Sequence, residues 1–270
     1  MEPAFPLPRP KNNNIITPVK NTQLNELAVC GYESVKAIAA KRPDVVKRLF
    51  FTEARAGSFG GLCSILAKSK KIYRIVSPQE LEKLSGTPHH QGVVAMIGLD
   101  SPKQADDSLV AGWIKSRAKI VVLDKVGDDH NLGSIARSAA FFGWDAMIIG
   151  RDDGAAAITT SAYRVARGAL EHIPVYSDES AANFLARCSG RLPVFGADPR
   201  GKTVLAQADT GSGAFALVLG NEESGLSETV KKLCSCLLKI PGSGKIESLN
   251  VSQAAAVLLY GLSEAANRSL

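Results

Sequence analysis

Three short polar clusters hold the residues of this 270-residue sequence best suited to chemistry. They read DKVGDDHN at 124–131, GNEESG at 220–225 and PGSGKIESLN at 241–250, and each follows a run rich in Val, Ile or Leu. Arg137, six residues after Asn131, offers a cation that keeps its proton under ordinary conditions. Asn131 opens a helical stretch, where its side chain can cap free backbone donors or orient Arg137. Gly220 ends an apolar run, and lacking a side chain it lets backbone approach a ligand closely. Glu222 can balance a positive charge or stand as a surface carboxylate. Ser248 and Asn250 bring a hydroxyl and an amide to the last turn before a long closing helix, where capping and ligand contact can coexist. Ile240 and Leu249 read by themselves as core residues.

Two apparent nucleotide motifs fail. GSGKI at 242–246 lacks the glycine five residues before Gly244 that a phosphate loop needs, and Ile246 replaces its Ser or Thr. Gly211, Gly213 and Ala216 have dinucleotide spacing but precede a strand, whereas that turn must follow one and open a helix. Nucleotide hydrolysis and hydride transfer lose their best support.

The elements that must position these residues follow from hydrophobic period. Residues 24–98 predict helix GYESVKAIAAK, strand VKRLFFT, helix GGLCSILAKSK, strand IYRIV, short helix PQELEKL and strand GVVAMIGL, a small α/β/α unit. SPKQADDSL marks 100–117 as a linker, and the five prolines and Asn12-Asn13-Asn14 of the first twenty residues predict a flexible arm over 1–22. From 118 onward AKIVVLDKV, DAMIIG, HIPVY, LPVFGA, AFALVLG and CLLKIP read as strands separated by helices. Strands nearly all Val, Ile and Leu predict a parallel sheet covered on both faces, with a ligand site beyond the carboxyl ends of its strands.

Charge divides between these halves. Residues 1–117 carry 17 Lys/Arg against 10 Asp/Glu, and the rest 15 against 16, so the positive excess lies wholly in the first part. Its two groups, Lys36 to Arg48 and Lys68 to Arg74, suggest a nucleic-acid-facing half. No run reaches the roughly eighteen apolar residues of a membrane helix. The start of the chain lacks the apolar stretch of a secretory signal, and Cys30, Cys63, Cys188, Cys234 and Cys236 form no metal or disulfide pattern. A cytoplasmic protein with reduced thiols and no metal site is the expectation.

Asn131-x-Gly133-x3-Arg137, Leu219-Gly220-Asn221-Glu222 with Gly225, and Ile240-Pro241 followed by Ser248-Leu249-Asn250-Val251-Ser252 resemble the three ordered motifs of the SpoU (TrmH-like) RNA ribose 2'-O-methyltransferases of the SPOUT superfamily. The resemblance covers 118–268, with a methyltransferase domain over 118–270. Residues 23–99 resemble the ribosomal-protein-like RNA substrate-binding domain of many members, most clearly in His89-His90-Gln91-Gly92-Val93-Val94-Ala95. The resemblance implies S-adenosylmethionine as methyl donor, structured RNA (ribosomal or transfer) as substrate, a deep trefoil knot, and a homodimer whose site forms between protomers. It implies a catalytic set of Arg137, Asn131, Glu222, Ser248 and Asn250, with Gly220, Ile240 and Leu249 around the adenosyl group. Arg137 would then grip a phosphate or the developing oxyanion rather than act as a base. His130 is not required by the pattern and is expected to be structural. His89 and His90 are expected to complete a turn or contact RNA. Glu171 matches a family segment without a derivable role, and Arg167 replaces a commonly small residue. The alternative is an inactive RNA-binding protein that kept the fold.

Overall fold

The computed structural model describes residues 25–98, 101–152 and 154–268, which fall into two units divided at Leu99. The expected arm lies outside the described residues.

The first unit runs β1 (Glu26–Cys30), α1 (Tyr32–Lys41), β2 (Val46–Phe51), α2 (Gly60–Lys68), β3 (Ile72–Ile75), α3 (Pro78–Ser85) and β4 (Val93–Gly98). Its sheet order is β1-β4-β2-β3, with β4 antiparallel to both neighbours and β2 parallel to β3. Because side chains alternate across a strand, Ala28, Cys30, Phe50, Val94 and Met96 meet Leu81 and Leu84 of α3 on one face. The alternate residues Val29, Leu49, Phe51, Val93 and Ala95 are also buried, and α1 and α2 pack on the same strands. Pro78 starts α3 behind Ser77, whose hydroxyl accepts the Glu80 amide while the Glu80 carboxylate accepts the Ser77 amide. The sequence reading missed β1, five residues whose place comes from pairing with β4 some seventy positions away.

The second unit continues with β5 (Lys103–Gln104), α4 (Asp107–Ser116), β6 (Lys119–Asp124), α5 (Asp129–Phe141), β7 (Ala146–Gly150), α6 (Thr160–Ala166), β8 (Val175–Asp178) and α7 (Ala181–Cys188). It closes with β9 (Val194–Ala197), β10 (Thr203–Val204), β11 (Phe215–Gly220), α8 (Glu228–Leu233), β12 (Cys236–Lys239) and α9 (Val251–Arg268). The sheet order is β10-β12-β9-β11-β6-β7-β8-β5, and every neighbouring pair is parallel. Residues 103–104 and 107–116, expected as linker, belong to this unit. Asp106 caps α4 by accepting the Leu109 amide, and Val110 and Trp113 are buried against α7 and the sheet. Arg187 of α7 fastens the segment further, donating to the Ala105 carbonyl and pairing with buried Asp178. The polar composition hid a helix whose apolar face is only a few residues wide.

α4, α7 and α8 share a core with Ile120, Val122, Ile148, Ala216 and Val218. The alternate strand residues Val121, Met147, Phe215 and Leu217 are equally buried, with Leu132, Ile135 and Ala139 of α5 and Leu258, Leu259 and Leu262 of α9. Trp144 pins α9 there, its indole N–H donating to Ser263 Oγ at 3.1 Å while its ring sits 5.5 Å from Phe215.

Candidate functional site

Adjacent strands β6 and β11 end level with each other, Asp124 beside Gly220. The turn after β11 closes on itself, with Asn221 and Gly225 exchanging backbone hydrogen bonds of 3.1 and 3.0 Å. The Asn221 side chain fixes it on both sides. Its Oδ1 accepts the Glu223 and Ser224 amides, and its Nδ2 donates to the Lys125 carbonyl at 2.9 Å. Buried Asp124 accepts the Ser227 amide at 2.8 Å, tying the far end of the turn to β6. A Cβ on Gly220 would stand 2.6 Å from the Gly225 carbonyl oxygen, so only glycine allows the turn to fold back over the strand end. The space beside Gly220 is therefore taken by the chain's own backbone.

Glu222 reaches from this turn to the next loop. Its Oε1 accepts Asn131 Nδ2 at 2.7 Å and its Oε2 accepts the Gly127 amide at 3.2 Å. Asn131 neither caps the helix nor holds Arg137. α5 begins at Asp129, and Asp128 provides the cap by accepting the His130 amide, so Asn131 lies inside the first turn with its amide turned to Glu222. We expect Glu222→Ala to leave that buried amide without its partner and to lower stability by about 1 kcal/mol or more. The shift in the denaturant midpoint checks this.

The motif Asn131-x-Gly133-x3-Arg137 divides into three jobs along α5. A Cβ on Gly133 would lie 2.5 Å from the Ala162 carbonyl oxygen and 3.1 Å from Val165 Cβ, so this glycine lets α6 pack directly against α5. Six residues of a 3.6-residue helix turn Arg137 well away from Asn131. Arg137 is exposed, and among the described residues no hydrogen bond or ion pair holds its guanidinium. One turn on, Phe141 is 82% exposed. The structure thus joins Asn131 to Glu222 and leaves Arg137 on an outward face.

The third cluster lies beyond β12. Residues 241–250 are all exposed, and among the described residues the backbone amides of 242–249 make one hydrogen bond, Lys245 N–H to Ser243 Oγ. Ile246 is 72% and Leu249 42% exposed, so Leu249 is not the core residue its type suggests; Ile240 is half-buried. Asn250 caps α9, its Oδ1 accepting the Ser252 amide at 2.8 Å and the Ser252 hydroxyl at 2.7 Å. Ser248 is exposed and free to bond a ligand. Exposed apolar side chains beside free backbone donors and acceptors suit a nucleoside, which presents a flat apolar face and a polar edge. The segment near Ile240 and Leu249 therefore has the apolar surface and main-chain groups that a nucleoside would need.

The remaining histidines separate. His130 is exposed at the start of α5, and His90 is buried, its Nδ1 accepting the Gly92 amide at 3.0 Å. His90 thus completes the turn before β4 and is withdrawn from RNA, while His89 is exposed. Arg167 is exposed in the left-handed region at φ 49°, ending α6, and Glu171 accepts the Tyr163 hydroxyl at 3.5 Å. Burial pushes the thiol of Cys188 up to about 11 and that of Cys234 up to about 12, which keeps both protonated and poorly nucleophilic. Sequence reasoning gave no role to Asp124, Gly127 or Asn221, although Asn221 stands in the second motif. A carboxylate closing a run of buried residues was the available signal for Asp124.

An open parallel sheet covered by helices on both faces defines an α/β protein, and in such folds ligands bind at the polar loops beyond the strand ends. The SpoU rRNA Methylase family model matches residues 118–260, and one for RNA 2'-O ribose methyltransferase substrate binding matches residues 28–102. The chain belongs to the SpoU rRNA methylase family. It is 32% identical over 242 residues to the 23S rRNA (guanosine-2'-O-)-methyltransferase RlmB of Acinetobacter baylyi, covering 85% of this chain and 94% of that protein. The SpoU methyltransferase AviRb from Streptomyces viridochromogenes, solved with the cofactor AdoMet, superposes with a TM-score of 0.70 at 22% identity, covering 90% of this chain and 91% of that one. An AdoMet-bound rRNA methyltransferase from Sinorhizobium meliloti gives 0.72 at 20% identity, covering 92% and 89%.

Proposed function

We propose that this chain transfers a methyl group from S-adenosylmethionine to a ribose 2'-hydroxyl of structured RNA, ribosomal or transfer, in the cytoplasm. The observation that carries the reading is the Asn131–Glu222 hydrogen bond, which ties the first turn of α5 to the turn after β11, the two segments that follow the paired ends of β6 and β11. The donor supplies an electrophilic methyl on a sulfonium. Ile240, Leu249 and the free backbone between them hold its nucleoside, and the Glu222 carboxylate lies where it can offset positive charge. Arg137 holds a phosphate or the oxygen that becomes negative as its proton leaves. Incubating the protein with labelled donor and total RNA from a strain lacking it, then mapping ribose methylation, tests the assignment. RNA binding with no calorimetric signal for the donor would instead identify an inactive RNA-binding protein.

Arg137 points away from Glu222 in its own chain, which supports a site completed by a second copy. Phe141 lies four residues further along the same helix stripe. Phe142 bridges it to Tyr260 of α9, with ring centroids 5.2 and 5.6 Å apart, and Tyr260 is 53% exposed. Aromatic surface of this kind is what a homodimer interface buries at its centre, and burying it would carry Arg137 into the partner's reach. Phe141→Asp should give a monomer in sedimentation velocity and abolish turnover without lowering the melting temperature of the remaining fold. The trefoil knot belongs to the same reading. β12 sits inside the sheet between β9 and β10, and α9 then packs on α5 and on the turn at 205–207.

In this reading the first unit delivers RNA. A fragment beginning at Ser101, which keeps β5 and α4, should bind donor as the full chain does but bind RNA much more weakly. The full chain should lose affinity steeply with salt, each phosphate contact adding about 0.7 to 0.9 to the log–log slope. Equal affinities and slopes for fragment and full chain in one buffer would return RNA binding to the second unit.

A further inference from the structure

At one end of the first unit's sheet three loops converge: Gly31–Tyr32 after β1, Thr52–Arg55 after β2, and His89–Gly92 before β4. Backbone bonds join them, Gly31 N–H to the His90 carbonyl at 3.2 Å and Thr52 N–H to the Gly92 carbonyl at 3.0 Å. Gln91 sits at their centre. Its Oε1 accepts the Tyr32 amide at 2.9 Å, and its carbonyl accepts Arg55 Nε at 3.2 Å. That bond holds the Arg55 guanidinium 4.4 Å from the centroid of the Tyr32 ring, whose other neighbours are Phe59 at 5.9 Å and Lys36 Nζ at 5.7 Å. The arrangement is built into the backbone. Gly31, Gln91 and Gly92 all have positive φ, at 99°, 54° and 81°, and a Cβ on Gly92 would stand 2.9 Å from Thr52 Oγ1 and 3.1 Å from Arg55 Cγ. A non-glycine residue in the left-handed region, here Gln91, marks a position held by its surroundings.

Among the described residues no carboxylate pairs with Arg55, and one of its donor groups is used. Tyr32 and Arg55 are both partly exposed. The opposite end of the sheet differs. Lys71 Nζ is consumed there by the Asp44 and Val46 carbonyls, both at 2.7 Å, and Arg48 by Glu26, while Lys41, Lys47, Lys68 and Lys70 are exposed charge. Such charge meets phosphates without reading bases. A planar guanidinium stacked on an aromatic ring, with donors left over, is how unpaired RNA bases are recognised.

We propose that the Tyr32–Arg55–Gln91 end of the first unit reads an unpaired RNA base, stacked on the guanidinium–ring pair with its polar edge toward the free Arg55 N–H groups and Gln91 Nε2. This rests on the reading of the first unit as the RNA-delivery module. The test compares full-length wild type with Tyr32→Leu, Tyr32→Phe, Arg55→Ala and the pair Lys68→Ala/Lys70→Ala. Each is titrated with a looped RNA hairpin and with a loopless RNA duplex of equal charge, at two salt concentrations. Tyr32→Leu and Arg55→Ala should each lose about tenfold in affinity for the hairpin, the size of one base stack, and keep most of their affinity for the duplex. Tyr32→Phe, which retains the ring, should behave as wild type. The lysine pair should weaken hairpin and duplex alike and flatten the salt dependence. Donor binding and melting temperature should stay unchanged throughout. If wild type prefers the hairpin and both Tyr32→Leu and Arg55→Ala keep that preference, the inference falls while RNA delivery stands. If wild type binds neither RNA, the delivery reading falls and takes the inference with it.

Discussion

Replacing Arg137 with Ala is expected to lower single-turnover methyl transfer by about a hundredfold to a thousandfold, the cost of removing one fixed donor from a developing oxyanion. The fold should not notice. Arg137 is exposed and no described residue pairs with it, so its loss should move stability by less than about 0.5 kcal/mol. Donor affinity should also hold, because the adenosyl candidates lie on the segment after β12 and on the turn after β11. Activity measured with labelled donor, beside calorimetry and a thermal melt, separates these three quantities. Wild-type turnover on the true RNA would remove Arg137 from the mechanism.

Gly220→Val should do the opposite. The added side chain meets the Gly225–Leu226 backbone, and the turn cannot move freely because Asn221 grips Lys125 and Asp124 grips Ser227. Overpacking of this kind costs about 1–3 kcal/mol, and the displaced turn should weaken donor binding by more than about tenfold. Gly112→Ala, in α4, is the matched control, since a Cβ there meets nothing within 4 Å. Unchanged donor affinity in folded Gly220→Val protein would exclude this turn from the donor site. The two variants also test the composite site together. In a mixed dimer, the Arg137→Ala chain keeps its donor loops and the Gly220→Val chain keeps its arginine. Mixing two nearly inactive proteins should then restore about a quarter of wild-type activity if each site draws on both copies, and none if each protomer works alone.

Much of the architecture was legible because it is encoded locally. Runs such as IVVL at 120–123 and FALVL at 215–219 are apolar at every position, which only a strand buried on both faces requires, and both lie in the all-parallel sheet. The three polar clusters were placed beyond strand ends for the same reason. Short or composite elements were not legible. β1 exists through its register with β4, and α4 through Val110 and Trp113 meeting α7. Neither leaves a period long enough to read.

Within the site, the sequence by itself determined which residue types stand at Asn131, Gly133, Arg137, Gly220, Glu222 and Asn250 and how they are spaced along the chain. Only the tertiary structure decided their partners. Asn131 meets Glu222 across 91 positions because β6 and β11 are neighbours, an adjacency set by strand order. The same packing gave Gly133 to α6, moved the helix cap back to Asp128, withdrew His90 into a turn and left Leu249 exposed. Helix and strand periods arise from contacts a few residues apart, so they can be read along the chain. Which loop faces which is fixed by contacts between segments far apart in sequence, and those exist only once the sheet has assembled.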